Sequence, residues 1–471
     1  MKTDIELKGT DDIRSIMHWQ KIDRSLMDLA QQQAYEFIDG ISQRPVYPTP
    51  EAIQHLDSFD ENFPEAPQDG EEILHLLHRY GSHATIDHSG GRYFGFVNGG
   101  IIPVSLATKW LTDVWDVNAA LYVMSPITAK LESVVEQWLK NIFSLPDMTV
   151  AGFVSGTSIA TLCGLAAARY RILKNQGWDV TARGLRGAPP VKIVLSEEAH
   201  GTVLKALAIL GFGTETLELV PADDRGRIVS SQMPFLDDKT IVILQAGNVN
   251  SGAFDDFNTI CTQANQAGAW VHVDGAFGLW AAASPRYRHL TEGIEMADSW
   301  SVDGHKTLNA PYDNGVVLCR DPEAFFAALK VTGDYLEFGH ERDGSTYTLE
   351  LSRRPRAIEM WAALKFLGAS GLAELVDGLC ARAWQFAEAL AERGFRILNA
   401  IDFNQVLVAC ETPEQTTKTL AAIQKSGVCW MGGTTWKGES VIRISVCSWA
   451  TTEEDIKRSV QAMVAARDSC S

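Results

Sequence analysis

The chain has no cysteine pattern, no membrane-length apolar run and too few basic residues for a nucleic-acid protein. Its eight cysteines are scattered, with no C-x-x-C pair among them. That spacing argues against a disulfide framework or a zinc site and predicts reduced thiols in a cytoplasmic setting. No apolar run approaches the ~20 residues that a membrane helix requires. The first thirty residues are polar and acidic, so no secretory leader is expected. Lysine and arginine number 41 against 59 aspartate and glutamate, a net charge of −18. This excludes general nucleic-acid binding and docking on an anionic membrane surface. No internal repeat and no low-complexity tract is visible.

What is present is a large apolar fraction, 46% of 471 residues, enough for a sizeable core. Residues 1 to about 65 are helix-prone, polar and broken by Pro45, Pro48, Pro50 and Pro64, an arm expected to pack on a partner subunit. Helical periodicity runs over Pro103–Asn118 and Pro126–Phe143. From about residue 150, short apolar strands alternate with helices: VKIVLS, TLELV and IVILQ among the strands, HGTVLKALAILG among the helices. This rhythm predicts a mostly parallel sheet covered on both faces. After Arg320 comes a helix, then a long charged, Gly-containing segment (332–356) that reads as a mobile lid. From Ala357 a long helix leads into a small α/β unit. The expected division is 1–100 as a helical arm, 101–350 as a large domain and 351–471 as a small domain.

The chemistry converges on the stretch 269–320. AWVHVD ends in Asp274, and ADSWSVDGHK brings His305 and Lys306 to the end of a second apolar strand. Ligands in open α/β sheets sit beyond the carboxyl ends of the strands. A lysine there is a poor core residue, because burying an unpaired ammonium is costly. A Schiff-base lysine escapes that cost, since its nitrogen need not carry a free charge. The turn Ser155-Gly156-Thr157-Ser158 lies between a strand and an Ala-rich helix, so it reads either as an ordinary helix cap or as a phosphate cradle. It matches neither the P-loop nor the dinucleotide glycine pattern. His200 is either a helix-capping histidine or a ring stacked on a planar cofactor. Asp274 is either an Asx turn or a carboxylate that keeps a pyridine nitrogen protonated.

In their order along the chain (phosphate turn, histidine, strand-end aspartate, lysine) these pieces resemble the pyridoxal-phosphate-dependent group II amino-acid decarboxylases. That family includes the aromatic-L-amino-acid and glutamate decarboxylases and has the aspartate-aminotransferase fold (fold type I). The resemblance rests on YFGFVNGG, SPITAKLESVVEQWL, FVSGTSIATLCGLAAAR, EEAHGTVLKAL, HVDGAFG, DGHKTLNAPYDNGVVL, SRRPRAIEMWAALKFLG and IRISVCSWATTEEDI, spread over about residues 90 to 460. It implies an α/β fold with a mixed, mostly parallel seven-stranded sheet, pyridoxal 5'-phosphate as cofactor, an amino-acid substrate and a homodimer with its site at the interface.

By that resemblance Lys306 carries the cofactor, and Thr157, Ser158 and His305 hold its phosphate. His200 stacks on one face of the ring, Ala276 touches the other, and Asp274 pairs with the ring nitrogen. Asn248 and Asn250 line the cofactor near its ring oxygen. Phe96 and Asn98 form a substrate wall. Arg443 is a candidate for the substrate carboxylate, with an ordinary strand salt bridge as the alternative. Tyr347 is the expected proton-delivering tyrosine, with Tyr335 as its rival. The reaction implied is loss of CO₂ from an L-amino acid. A carbon–carbon lyase or an aldehyde-forming oxidative deaminase on the same cofactor is the alternative, and a catalytically silent binding dimer is a third. Two departures stand out: Thr307 where a tryptophan commonly follows the lysine, and Ile159 where a glutamate is frequent.

Overall fold

The computed structural model describes residues 12–330 and 339–470. Its strands, in chain order, are β1 (Tyr93–Phe94), β2 (Val150–Val154), β3 (Lys192–Ser196), β4 (Glu218–Val220), β5 (Thr240–Gln245), β6 (Trp270–Asp274), β7 (Ser299–Asp303), β8 (Gly315–Cys319), β9 (Arg396–Ile397), β10 (Gln405–Ala409), β11 (Trp430–Trp436) and β12 (Glu439–Ser445). Seven of them form one sheet in the order β2-β8-β7-β6-β5-β3-β4. All its pairs are parallel except the two made by β8, which runs antiparallel to both β2 and β7. β2 therefore points the same way as β7, and the ends of β2, β3, β5, β6 and β7 share one edge.

The strands read as continuous apolar runs because helices cover both faces. β5, β6, β7 and β8 are buried at every residue. One face packs on helix Thr157–Asn175, whose alanines and Gly164 allow close approach. A Cβ on Gly164 would lie 2.9 Å from the His272 ring on β6. His272 is fully buried. The Trp270 indole N–H donates to Ser299 Oγ at 3.0 Å, and the same hydroxyl shares a hydrogen bond with His272 Nδ1 at 2.8 Å. Burial favours the neutral form of the ring. The other face carries the larger apolar cluster, with Trp280 and Trp300 wholly enclosed.

The second sheet has the order β1-β11-β12-β10-β9. It is larger than the sequence pattern suggested: β11 contains Gly432-Gly433-Thr434-Thr435, and β1, from far upstream, joins it in parallel. Helix Arg356–Ala391 links the sheets and breaks at Gly368, where φ is 60°. The amino-terminal helices Ile13–Asp23 and Ser25–Gly40 contain no buried residue.

The segment expected to be a lid is anchored where it is described. Arg342 reaches helix Pro126–Ile142, pairing with Glu132 at 2.9 Å and Glu136 at 2.7 Å, and donates to the Ala151 carbonyl. Arg353 meets the other Glu132 oxygen at 2.6 Å. Ala119 N–H donates to Arg353 O, and Ser345 N–H to Ala120 O. Glu132 is wholly buried. Burial alone would raise its proton affinity, but the guanidinium groups of Arg353 and Arg342 outweigh that and hold it below the ordinary glutamate value. Composition alone could not show that these charges are spent inside the protein.

Two outcomes are expected. Glu132→Ala strands the buried Arg353 guanidinium, leaves Arg342 with Glu136 alone, and costs about 3–5 kcal/mol in equilibrium urea unfolding; a loss under about 1 kcal/mol would mean that the cluster is solvated. His272 concerns pH. Burial pulls its pKa from 6.5 to about 3, so below pH 6.5 the unfolded chain gains a proton that the folded chain does not. Stability from this group is complete above pH 6.5 and falls with decreasing pH toward 3, by at most about 1.4 kcal/mol per pH unit. The unfolding free energy of His272→Asn, subtracted from that of the unaltered chain, should slope over pH 6.5–4.5. A flat difference would refute the neutral buried ring.

Candidate functional site

Four turns converge at the carboxyl edge of the large sheet. β2 leads through Ser155 and Gly156 into helix Thr157–Asn175. β3 leads to His200, the N-cap of helix Gly201–Ile209. β6 ends at Asp274, and β7 ends at Asp303, three residues before Lys306.

Asp303 joins two of these turns, and the sequence reading missed it. It is 1% exposed. Its carboxylate accepts the Thr157 N–H at 2.7 Å and the Thr157 hydroxyl at 3.0 Å. Lys306 Nζ lies 3.0 Å from the same group. His305 Nε2 is 3.7 Å away. The Asn314 N–H donates to His305 Nδ1 at 3.1 Å, so the neutral ring carries its proton on Nε2, toward Asp303. Burial lowers the His305 pKa. Gly156 makes this proximity possible, since a Cβ there would lie 3.1 Å from the His305 ring.

The backbone of Lys306 is gripped from the other side by residues 95–100. Gly99 N–H donates to the His305 carbonyl, and a Cβ on Gly99 would fall 2.2 Å from the Lys306 carbonyl oxygen. Asn98 accepts the Tyr312 hydroxyl at 2.9 Å, and the Tyr312 ring stacks on His305 with centroids 4.2 Å apart. Tyr312 is a second residue that sequence reasoning did not single out. Phe96 is 60% exposed, has φ of 53° and stacks on Trp430. Asn309, at φ 58°, holds the loop after Lys306. Its Nδ2 lies within 3.1 Å of the carbonyls of Lys306, Thr307 and Cys447, and its Oδ1 accepts from Gly100 and Trp449 N–H. Thr307 is fully buried and donates to the Phe277 carbonyl.

Asp274 is buried, and Ala276 N–H donates to its Oδ1 at 3.2 Å, an Asx-type turn that also places Ala276. Burial raises the Asp274 pKa, while the positive charges of His200 and Lys306 pull it back. Burial lowers that of His200, with Asp274 opposing. His200 also fulfils its plainer role, since Nδ1 accepts the Thr202 N–H that caps the helix. Arg443 on β12 acts on the same His200. Its guanidinium makes a long hydrogen bond to the Val249 carbonyl at 3.4 Å. Nε is buried with no hydrogen-bond partner, and among the described residues no carboxylate pairs with the guanidinium. The ordinary strand salt bridge is therefore not what holds Arg443.

Two expectations need correction. Tyr347 is not a free loop residue. The Arg342 guanidinium lies 3.7 Å from its ring centroid, and Phe326 packs edge-on at 4.9 Å. It belongs to the apolar cluster of helix Thr157–Asn175. Its rival Tyr335 lies outside the described residues. Asn248 is buried and engaged in its own loop: its Oδ1 accepts the N–H groups of Asn250 and Ser251, and its Nδ2 reaches the Gly226 carbonyl at 3.5 Å. It braces the loop rather than presenting a free amide. Ser158 keeps an exposed position in the first turn of its helix.

Comparison with known proteins agrees with this geometry. The model of the pyridoxal-dependent decarboxylase conserved domain matches residues 50–410. An aromatic-L-amino-acid decarboxylase of Bacillus atrophaeus is 26% identical over 446 residues, 89% of this chain and 90% of that protein. A cysteine sulfinic acid decarboxylase of Mus musculus is 26% identical over 365 residues, 73% of this chain and 72% of that one. The crystal structure of Oryza sativa TDC with PLP and tryptamine superposes with a TM-score of 0.87, at 19% identity, covering 98% of this chain and 99% of that one. The chain thus belongs to the pyridoxal-dependent decarboxylases, carboxy-lyases that act on amino acids with pyridoxal 5'-phosphate as cofactor.

Proposed function

We propose that this chain releases CO₂ from an L-amino acid at the carboxyl edge of its large sheet, and that it works as a cytoplasmic homodimer. The observation that carries the reading is Arg443, a half-buried guanidinium with a buried, unpartnered Nε and no carboxylate partner among the described residues, acting on the same His200 as Lys306 and Asp274. An amino acid brings an amine and a carboxylate, and these residues offer a carrier lysine and an anion receptor.

The residues present fit the cofactor. Thr157, Ser158 and His305 hold the phosphate at the amino end of a helix, where backbone N–H groups and the helix dipole favour an anion. His200 and Ala276 take the two ring faces. Asp274, buried with one backbone N–H as its hydrogen-bond partner, would pair with the protonated ring nitrogen as its counter-ion. Lys306 anchors the cofactor through its nitrogen. When bound, pyridoxal phosphate supplies a conjugated ring that accepts the electron pair left by the departing carboxylate. Arg443 orients the substrate carboxylate, and Phe96 and Asn98 form the wall nearest the Lys306 turn. The substrate itself is a choice among classes. One relative is named for aromatic amino acids and another for cysteine sulfinic acid, and Phe96 and Asn98 favour neither.

The dimer is supported by apolar side chains left in solvent. Ile22 and Met27 on the amino-terminal helices are 67% and 69% exposed, and Val114 on helix Pro103–Trp115 is 78% exposed. Exposed apolar surface of this kind marks contact with another chain. The reducing compartment is supported by eight unpaired cysteines, seven of them buried.

The purified protein should be yellow, its visible absorbance should be bleached by borohydride, and a panel of L-amino acids should yield CO₂ from at least one member. Lys306→Ala should lose both properties. If no amino acid yields CO₂ from cofactor-loaded protein, the reading fails; ammonia and peroxide in place of CO₂ would make the enzyme an oxidative deaminase. Sedimentation should give a dimer that retains cofactor. A monomer with full cofactor content and activity would refute the shared site.

A further inference from the structure

The phosphate turn and the carrier lysine share a partner that belongs to neither role. Asp303 reaches from the end of β7 to the first N–H of helix Thr157–Asn175, at 2.7 Å, and to the hydroxyl of the same residue at 3.0 Å. A helix amino end attracts anions because its first N–H groups are unpaired and carry partial positive charge. Here an anion from another strand already occupies that position. The same carboxylate holds Lys306 Nζ at 3.0 Å, in an ion pair whose acid is only 2% exposed.

Resting on the assignment of Thr157 and Lys306 to the cofactor site, we propose that Asp303 is an internal occupant of that site. It competes with the cofactor's phosphate for the Thr157 turn and holds the Lys306 nitrogen in an ion pair, so it sets the affinity with which cofactor is retained. Two physical consequences follow. A phosphate dianion brought beside a buried carboxylate is repelled, and solvent screens the pair poorly because the acid is enclosed. A lysine nitrogen held by a carboxylate must leave that partner before it can bond to the cofactor. Asp303 thus opposes loading at both ends of the cofactor. It also neutralises the lysine and caps the helix when no phosphate is there, so both turns stay formed.

The test uses the full chain, freed of cofactor, beside its Asp303→Asn variant. Inorganic phosphate is titrated by calorimetry, and pyridoxal phosphate and pyridoxal by tryptophan fluorescence. Removing the charge should tighten inorganic phosphate and pyridoxal phosphate by about tenfold or more. Pyridoxal, which lacks the phosphate, should gain less. Equal phosphate affinity in the two chains overturns the proposal. So does weaker binding in the variant, which would make Asp303 a holder of the cofactor. Asp303→Ser, with the same expected direction, serves if the Asn variant does not melt cooperatively. In a crystal structure of the loaded protein the contact between Asp303 and Thr157 N–H should be broken; its persistence beside a bound phosphate refutes the competition. Should pyridoxal phosphate bind neither chain, the cofactor assignment itself falls, and inorganic phosphate still measures the effect of Asp303.

Discussion

One amide side chain holds the catalytic turn in place. Asn309 sits three residues after Lys306 in a left-handed conformation, which asparagine tolerates better than most residues. Its two polar atoms bridge three parts of the chain: the Lys306 turn itself, the upstream segment at Gly100, and Cys447 and Trp449 just after β12. That bridge adds to the bonds that Gly99, Asn314 and Thr307 make in and around the same turn. With it, the large sheet, the small sheet and the segment around residue 99 all determine where the lysine backbone lies. Gly99 completes the arrangement, because any side chain there would strike the Lys306 carbonyl.

The electrostatics follow from the same enclosure. Asp274 and Asp303 are both buried and both face Lys306, yet burial and partners treat them differently. Asp274 receives one backbone N–H, so desolvation dominates and its proton affinity rises. Asp303 instead receives a backbone N–H, a hydroxyl and the Lys306 nitrogen, so it ties three groups of the two turns together. Two acids at adjacent strand ends thus have different surroundings.

How far the sequence was legible depended on how local each signal was. Strands β3, β5, β6 and β7 announce themselves, because a buried strand is a short apolar run with polar punctuation, and that placed Asp274 and Lys306 at one edge. His200 and the Thr157 turn were legible as helix starts. Asp303 was passed over: its meaning lies in Thr157, 146 residues earlier, and beside His305 and Lys306 it looked like spacing. β11 was missed because two glycines and two threonines do not form an apolar run. The segment 339–355 was misread for the opposite reason. Its charges and glycines have a loop's composition, but Arg342 and Arg353 spend those charges on Glu132, more than 200 residues upstream. Tyr347, in the same segment, is partly buried against the cluster of helix Thr157–Asn175.

The residues proposed to hold the cofactor and those proposed to line the substrate come from different parts of the chain. Lys306, Asp274, His200 and Thr157 come from strand ends of one sheet, so a single hydrogen-bonded lattice fixes their spacing. Phe96 and Asn98 come from a segment that enters with β1, in the other sheet. Phe96 and Val97 both have positive φ, a strained state for side-chain-bearing residues. They are kept there by Trp430 stacking on Phe96 and by the Tyr312 hydroxyl on Asn98. On the proposed assignment, altered packing of β1 on β11 changes the substrate wall without moving the strand ends that carry Lys306, Asp274, His200 and Thr157. The motif residues at those strand ends are easy to recognise here, while the proposed wall follows neither the aromatic nor the acidic pattern.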